Sequence, residues 1–260
     1  MCRLTAYLGP DIPLERIIVL PSHSLLQQSQ QANEAKLAVN GDGFGIAWYS
    51  DEIKPGLYRD VLPAWSDGNL TSLCRMIKSR LFLAHVRAST FGETSRSNCH
   101  PFTYKNWSFA HNGQIAEFAS IRRGLEDCLS DELYNHRKGT TDSELFFLLA
   151  LQHELQSDPQ KAIEATIAKI REAQLALGKN IRDPNRITSV FSDGKSVYGF
   201  RCSSDLKSPT LYASGDLTSG GHALASEPLD GGMDNWTTVD EGQFVQMDND
   251  SMNFSMLSVA

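Results

Sequence analysis

The chain begins MCRLT, which puts a cysteine one residue from the amino terminus. Cysteine is small enough to permit removal of Met1, and Cys2 would then carry its thiol and a free α-amine on one carbon. That amine ordinarily titrates at roughly 8, so its neutral form is available around neutral pH to take the thiol proton. Nucleophile and base would come from one residue, with no histidine required. A retained Met1 would tie the nitrogen up as an amide and remove the base. Taken alone, Cys2 is better read as a small buried residue starting a strand. Other stretches change that balance.

HVRAST, residues 85–90, places Arg87 where an apolar strand gives way to a loop. A guanidinium fork there suits a ligand carboxylate, and Thr90 can add a hydroxyl to the same ligand. A structural salt bridge for Arg87 and a turn cap for Thr90 are the plainer readings. AHNGQI, residues 110–115, offers the Asn112 side-chain amide and, at Gly113, a backbone N–H that no Cβ screens. Two such donors aimed at one point would stabilise a tetrahedral oxyanion. Asn-Gly is also the commonest tight-turn pair, but a helical pattern follows it here, not a second hairpin strand. In TTDSE, residues 140–144, Asp142 opens a helix; N-capping is its default role and a ligand ammonium the alternative. GDGFG, residues 41–45, leads into a strand, which excludes a phosphate loop; it reads as a turn near the site with Asp42 fixing it. His85, His100 and His111, even with Cys99, lack the short ligand spacings of zinc, so neither metal nor other cofactor is expected.

The elements that must position these groups follow from periodicity. Residues 3–8 read as a strand closed by Gly9-Pro10, with further strands at 43–49, 57–65, 81–87 and 107–111. Asn69 can cap a helix with Leu70, Leu73, Cys74 and Ile77 on one face. Phe118, Ile121, Leu125 and Leu129 form one helical stripe, and Asp142 can cap the apolar helix SELFFLLALQH. Asp158-Pro159 starts an amphipathic helix through Ile163, Ile167 and Ile170 that stops at Gly178. Short strands return from Ile187 onward: ITSVFS, SVYGFRCS, PTLYAS, HALASE, NWTTV and QFVQM. Strands, then helices, then strands fit a layered protein in which helices cover two facing sheets, and the absence of alternating βαβ units excludes a parallel nucleotide-binding sheet.

At 260 residues without repeats or linker-like tracts, the chain reads as one domain spanning 1–260. A net charge of −7, from 24 basic and 31 acidic residues, argues against nucleic acid or an anionic membrane as partner. Five scattered cysteines suit a reducing compartment, and residues 1–20 lack a signal-peptide core. No apolar run is long enough to span a bilayer. A cytoplasmic location is expected.

Taken in order, MCR, DGFG, HVRAST-x-G, NCHPF, AHNGQI, TDSE and ASEPLD resemble the class II glutamine amidotransferase domain of the N-terminal-nucleophile hydrolase superfamily. Each piece is common and the ordered set is specific. The NCHPF spacing is similar to the small stand-alone branch that includes the ergothioneine-pathway γ-glutamyl amidohydrolase. The resemblance implies an α+β fold, a four-layer αββα sandwich. It implies attack by Cys2 on the γ-carbonyl of a small-molecule γ-glutamyl substrate, an oxyanion hole at Asn112 and Gly113, Arg87 on the α-carboxylate and Asp142 on the α-ammonium. Ser226 and Glu227 would line the site from the C-terminal sheet. A thioester would form, release ammonia or an amine, and hydrolyse to glutamate. Ala88 and Phe91 stand where better-known members carry an aromatic residue and a histidine, which implies a wider pocket. Two alternatives stay open: a glutaminase subunit delivering ammonia to a separate synthase, and a non-catalytic γ-glutamyl or amino-acid binding protein. Self-association is compatible with either.

Overall fold

The computed structural model describes residues 2–34, 39–88, 93–230, 232–249 and 251–258. Two antiparallel sheets lie face to face. One contains β1 (Arg3–Pro13), β2 (Phe44–Tyr49), β3 (Gly56–Asp60), β4 (Lys78–Val86), β9 (Tyr212–Ser214), β10 (His222–Ala225) and β11 (Trp236–Thr238), in the order β11-β9-β10-β1-β4-β2-β3. The other contains β5 (Phe102–Tyr104), β6 (Trp107–Gln114), β7 (Arg186–Ser192), β8 (Val197–Ser203), β12 (Gln243–Asp248) and β13 (Ser251–Met256), in the order β13-β12-β8-β7-β6-β5.

Strand alternation decides what each face meets. On β1, Leu4, Ala6 and Leu8 point between the sheets, where they pack with Leu81, Leu83, Ala110, Val190 and Leu224. Tyr7 points the other way, onto a core built with α1 (Glu15–Ile18), α2 (Leu25–Gln30) and α3 (Leu70–Met76). The outer face of the second sheet presents Phe109 and Phe191 to α4 (Phe118–Glu126), α5 (Asp131–His136), α6 (Asp142–Gln152) and α7 (Pro159–Leu175). Phe109 stacks on Phe147 of α6 with ring centroids 5.3 Å apart. Four layers result, helix–sheet–sheet–helix, as the strand–helix–strand order and the family resemblance led one to expect. Helix α6 is buried on every side from Ser143 to Leu151, which explains why its sequence is an apolar run without a polar stripe.

Local boundaries differ from expectation in instructive ways. Strand β1 does not stop at Gly9-Pro10: it continues to Pro13 through an irregularity between Leu8 and Ile12. A Cβ at Gly9 would stand 2.5 Å from the Gly221 Cα, so glycine there permits close backbone approach and is no terminator. The strand expected at 57–65 ends at Asp60, with Ala64–Ser66 forming a 3-10 turn. Asn69 makes no capping bond, and its own N–H donates to Asp67 Oδ1 at 2.8 Å. Asp158 does cap α7, accepting from Lys161 N, with Pro159 in the first turn. Among the described residues no helix is long and apolar enough to cross a membrane.

Candidate functional site

Register brings the N-terminal thiol to the end of β4. Arg3 pairs with Val86 across the antiparallel β1–β4 ladder, so Cys2 meets the residues just beyond that strand. Its Sγ lies 3.4 Å from the Ala88 N–H nitrogen and 3.6 Å from the Ala88 carbonyl oxygen. Burial pushes the thiol above its ordinary range, opposed by the Ala88 backbone contact and by cationic Arg87 and Arg3. Arg87 is buried and tied into the neighbouring strand: its N–H donates to Gly43 O at 2.8 Å, and Asp42 N–H donates to Arg87 O at 3.0 Å. The Asp42 backbone N–H thus ties its loop to the segment that carries Arg87, but Asp42, a substrate-binding candidate, is not among the residues walling the cavity beside Arg87.

A cavity of about 350 Å³ joins these groups to the second sheet and its helices. Its walls include Cys2, Arg87, Ala88, His100, His111, Gly113 and Asp142, completed by residues 114–119, Thr141, Ser143 and Asp183. Four of the residues singled out by sequence, from four separate segments, thus face one space. A thiol, a guanidinium and a carboxylate around one cavity can hold a zwitterion beside a nucleophile.

Asn112 and Gly113 lie inside β6, opposite Thr188 and Ile187 of β7, so this Asn-Gly pair is no hairpin turn. Asn112 is wholly buried, and neither its Nδ2 nor its Oδ1 has a partner. A buried amide without partners costs about 1–3 kcal/mol; an oxyanion would accept from its Nδ2 and leave its Oδ1 unpartnered. Asn112 is not among the residues walling the cavity. Gly113 has φ +148°, and a Cβ there would stand 1.8 Å from the Arg186 carbonyl oxygen and 2.9 Å from His111 Nε2. No side chain can replace it without moving β7.

Asp142 was expected to cap α6. The cap is Thr141 instead, whose hydroxyl accepts from Glu144 N at 3.2 Å. The Asp142 carboxylate turns toward the strand end: Oδ2 accepts from Ile115 N at 2.8 Å, and Oδ1 accepts from Ser143 N at 2.8 Å and Ser143 Oγ at 3.2 Å. Freed from capping, it lies on the cavity wall. The Ser143 hydroxyl also lies 2.8 Å from His111 Nδ1.

Three histidines that the sequence reading set aside converge here. The His85 and His100 rings lie 4.2 Å apart, and His85 Nε2 is 3.2 Å from His111 O, bridging the sheets. Both nitrogens of His100, Nε2 of His111 and Nδ1 of His85 have no partner. His100 and His111 wall the cavity, so they offer polar atoms to whatever fills it. Their spacing, 85, 100 and 111, gave no signal because the sheets alone bring them together. Among the described residues no three His, Cys, Asp or Glu side chains are grouped to hold a metal ion. Two glycines of GDGFG make room for this cluster. A Cβ at Gly43 would stand 2.6 Å from Cys99 Sγ, and one at Gly45 would stand 2.3 Å from the His100 carbonyl oxygen. Gly45→Ala is expected to cost about 2–4 kcal/mol, read by urea denaturation, because backbone and not a flexible side chain is in the way.

Burial depresses the titration of all three rings, that of His85 from 6.5 to about 3. Above 6.5 neither folded nor unfolded rings are charged; below it the unfolded chain takes up protons that the folded chain refuses. Stability should therefore fall as pH drops below 6.5, by on the order of 1 kcal/mol per unit for each ring, before most carboxylates titrate. Thermal melts across that range check this, and a midpoint unchanged down to about pH 5 would contradict it.

The remaining expected site residues lie elsewhere. Ser226 and Glu227, expected to line the site, are buried and committed to β1: Ser226 Oγ accepts from Leu4 N at 3.0 Å, and Glu227 pairs with Arg3. Neither walls the cavity: both lie just past β10 and bond to the start of β1. Thr90 falls outside the described residues, as do Phe91 and Met1.

Comparisons with known proteins agree with this fold. Residues 16–211 match the family described as glutamine amidotransferases class-II. A probable glutamine amidotransferase of Saccharomyces cerevisiae is 36% identical over 222 residues, covering 76% of this chain and 62% of that protein. The γ-glutamyl-hercynylcysteine sulfoxide hydrolase of Mycolicibacterium smegmatis is 31% identical over 176 residues, covering 66% of this chain and 70% of the relative. A glutamine aminotransferase class-II domain protein from Silicibacter pomeroyi superimposes with a TM-score of 0.77 at 34% identity, covering 99% of this chain and 100% of the other.

Proposed function

The chain belongs to the class II glutamine amidotransferase family, and from that premise we propose that it hydrolyses a γ-glutamyl amide through a thioester on Cys2. The observation that carries the reading is the single cavity walled by Cys2, Arg87, Gly113 and Asp142. The chain spans 62% of the yeast relative, and the similarity to a γ-glutamyl hydrolase supports an amide larger than glutamine as the substrate class.

With Met1 removed, the Cys2 α-amine takes the thiol proton as sulfur attacks the γ-carbonyl carbon. Burial disfavours the thiolate, and the adjoining amine offsets this as base. The carbonyl π pair moves onto oxygen, which the Asn112 amide and the Gly113 N–H receive. Collapse re-forms the carbonyl and expels the amine, which leaves with the proton from the α-ammonium. Water then attacks the thioester, giving its proton to the same amine; glutamate departs and the thiol is restored. Arg87 holds the substrate's α-carboxylate and Asp142 its α-ammonium, so the amino-acid head is read by one charge of each sign.

Glutamate release from glutamine and from γ-glutamyl amides of larger amines, by the isolated Met-free chain, tests this directly. Turnover without any added synthase is expected, and its absence on every γ-glutamyl amide overturns the reading. Asp142→Asn keeps an oxygen for Ile115 N–H but loses the charge facing the ammonium. KM is expected to rise about 10–100-fold with a smaller change in kcat, since a charged hydrogen bond contributes about 1.5–3 kcal/mol to binding.

A further inference from the structure

Arg3 follows Cys2 directly, is wholly buried, and has its guanidinium folded back onto its neighbour. Nε donates to the Cys2 carbonyl oxygen at 2.7 Å, and Nη1 donates to Glu227 Oε1 at 3.0 Å. Glu227 is itself fixed from three sides. Its Oε2 accepts from Asn33 N at 3.0 Å and lies 2.6 Å from His23 Nε2, while Oε1 accepts from Glu34 N at 3.0 Å. A buried ion pair is a poor way to hold a strand in a sheet, because desolvating both charges offsets most of their attraction. Leu4, Ala6 and Leu8 already anchor β1. The pair's distinctive contact is the one to the backbone of the cysteine.

We propose that Arg3, oriented by Glu227, is the positioning residue of the nucleophile: it pins the Cys2 carbonyl and supplies a fixed cation beside the thiol. This rests on the reading of Cys2 as nucleophile. Arg3 touches no substrate and acts through Cys2. The titratable and charged groups around Cys2 are the amino terminus, Arg87 beyond β4, Arg3 next to it in the chain, the Cys99 thiol and Asp142 across the cavity, with neutral His100 and His111 on the same wall. Those around Arg3 are Glu227 and Glu34, with His23 beyond Glu227. Arg3 therefore draws the thiol toward its thiolate and the adjoining amine toward its neutral form, and Glu227 limits how far.

Opposite charge changes must then move Cys2 in opposite directions. The test is the pH dependence of iodoacetamide alkylation at Cys2, followed by peptide mass spectrometry in the full chain. Arg3→Met is expected to raise the alkylation midpoint by about half a pH unit or more, Glu227→Gln to lower it, and Arg3→Lys to leave it near the parent value. Should Arg3→Met fail to fold, Glu227→Gln against Arg3→Lys still decides, because only the first should shift. Midpoints equal to the parent's in folded variants, or Arg3→Met and Glu227→Gln moving together, would overturn the inference and leave the pair a strut. Failure of the chain to turn over any γ-glutamyl amide sinks the proposed function but not this readout, which needs no turnover.

Discussion

Cys2→Ala is expected to lower glutamate release by about four orders of magnitude or more while leaving the fold in place. Without the sulfur no thioester can form, and the α-amine has no thiol to deprotonate. Under the proposed mechanism Arg87 and Asp142 still bind the amino-acid head, so a γ-glutamyl ligand should be retained, with its affinity measurable by calorimetry. Stability should change little, since the side chain is only half-buried and its polar contacts are two weak ones to Ala88. Undiminished hydrolysis by the alanine variant would mean that another group carries the reaction.

Gly113→Ala is expected to be the most damaging single methyl group in the molecule. It demands an L-residue at φ +148° and forces a Cβ to within 1.8 Å of the Arg186 carbonyl oxygen. Strand β7 must then withdraw at the Gly113–Ile187 pair, where β6 delivers the backbone N–H assigned to the oxyanion. A stability loss of about 3 kcal/mol or more is expected in urea denaturation. In the fraction that folds, kcat should fall about 100-fold or more, from the displaced donor. Near-parent activity would show that this N–H does not serve the reaction.

The acid-sensitivity of the histidine cluster and the strain at Gly45 belong to the same picture. Both arise because β2, β4 and β6 crowd backbone and imidazole rings beside the cavity. Small residues at 43, 45 and 113 are the spaces in that packing.

Much of this was legible in the chain. The apolar runs at LFLAHVR and WSFAH mark β4 and β6; Arg87 stands just beyond the first, whereas β6 runs on through Asn112 and Gly113 to Gln114. The layer order followed from strands, helices and strands in succession. The N-cap of α6 was not readable, because Thr141 and Asp142 are both good caps; the Ile115 N–H draws the carboxylate away and leaves the task to the hydroxyl. Strand β13 escaped notice since only Met252 along it is even half-buried, so its sequence carries no alternation. Helices α1, α2 and α5 are too short to show a period. The histidine cluster and the Arg3–Glu227 pair depend on contacts between residues 15 to 224 positions apart, which local pattern does not encode. Ser226 and Glu227, expected from the resemblance to line the site, are buried, serve β1 and do not wall the cavity.

Treating the Met-free protein with diazo-oxo-norleucine and mapping the adduct by peptide mass spectrometry probes the nucleophile and the γ-glutamyl pocket together. A single adduct on Cys2, suppressed by excess glutamine and accompanied by loss of turnover, is the expected result. Labelling that falls on Cys74, Cys99, Cys128 or Cys202, or labelling of Cys2 that glutamine does not slow, would contradict it.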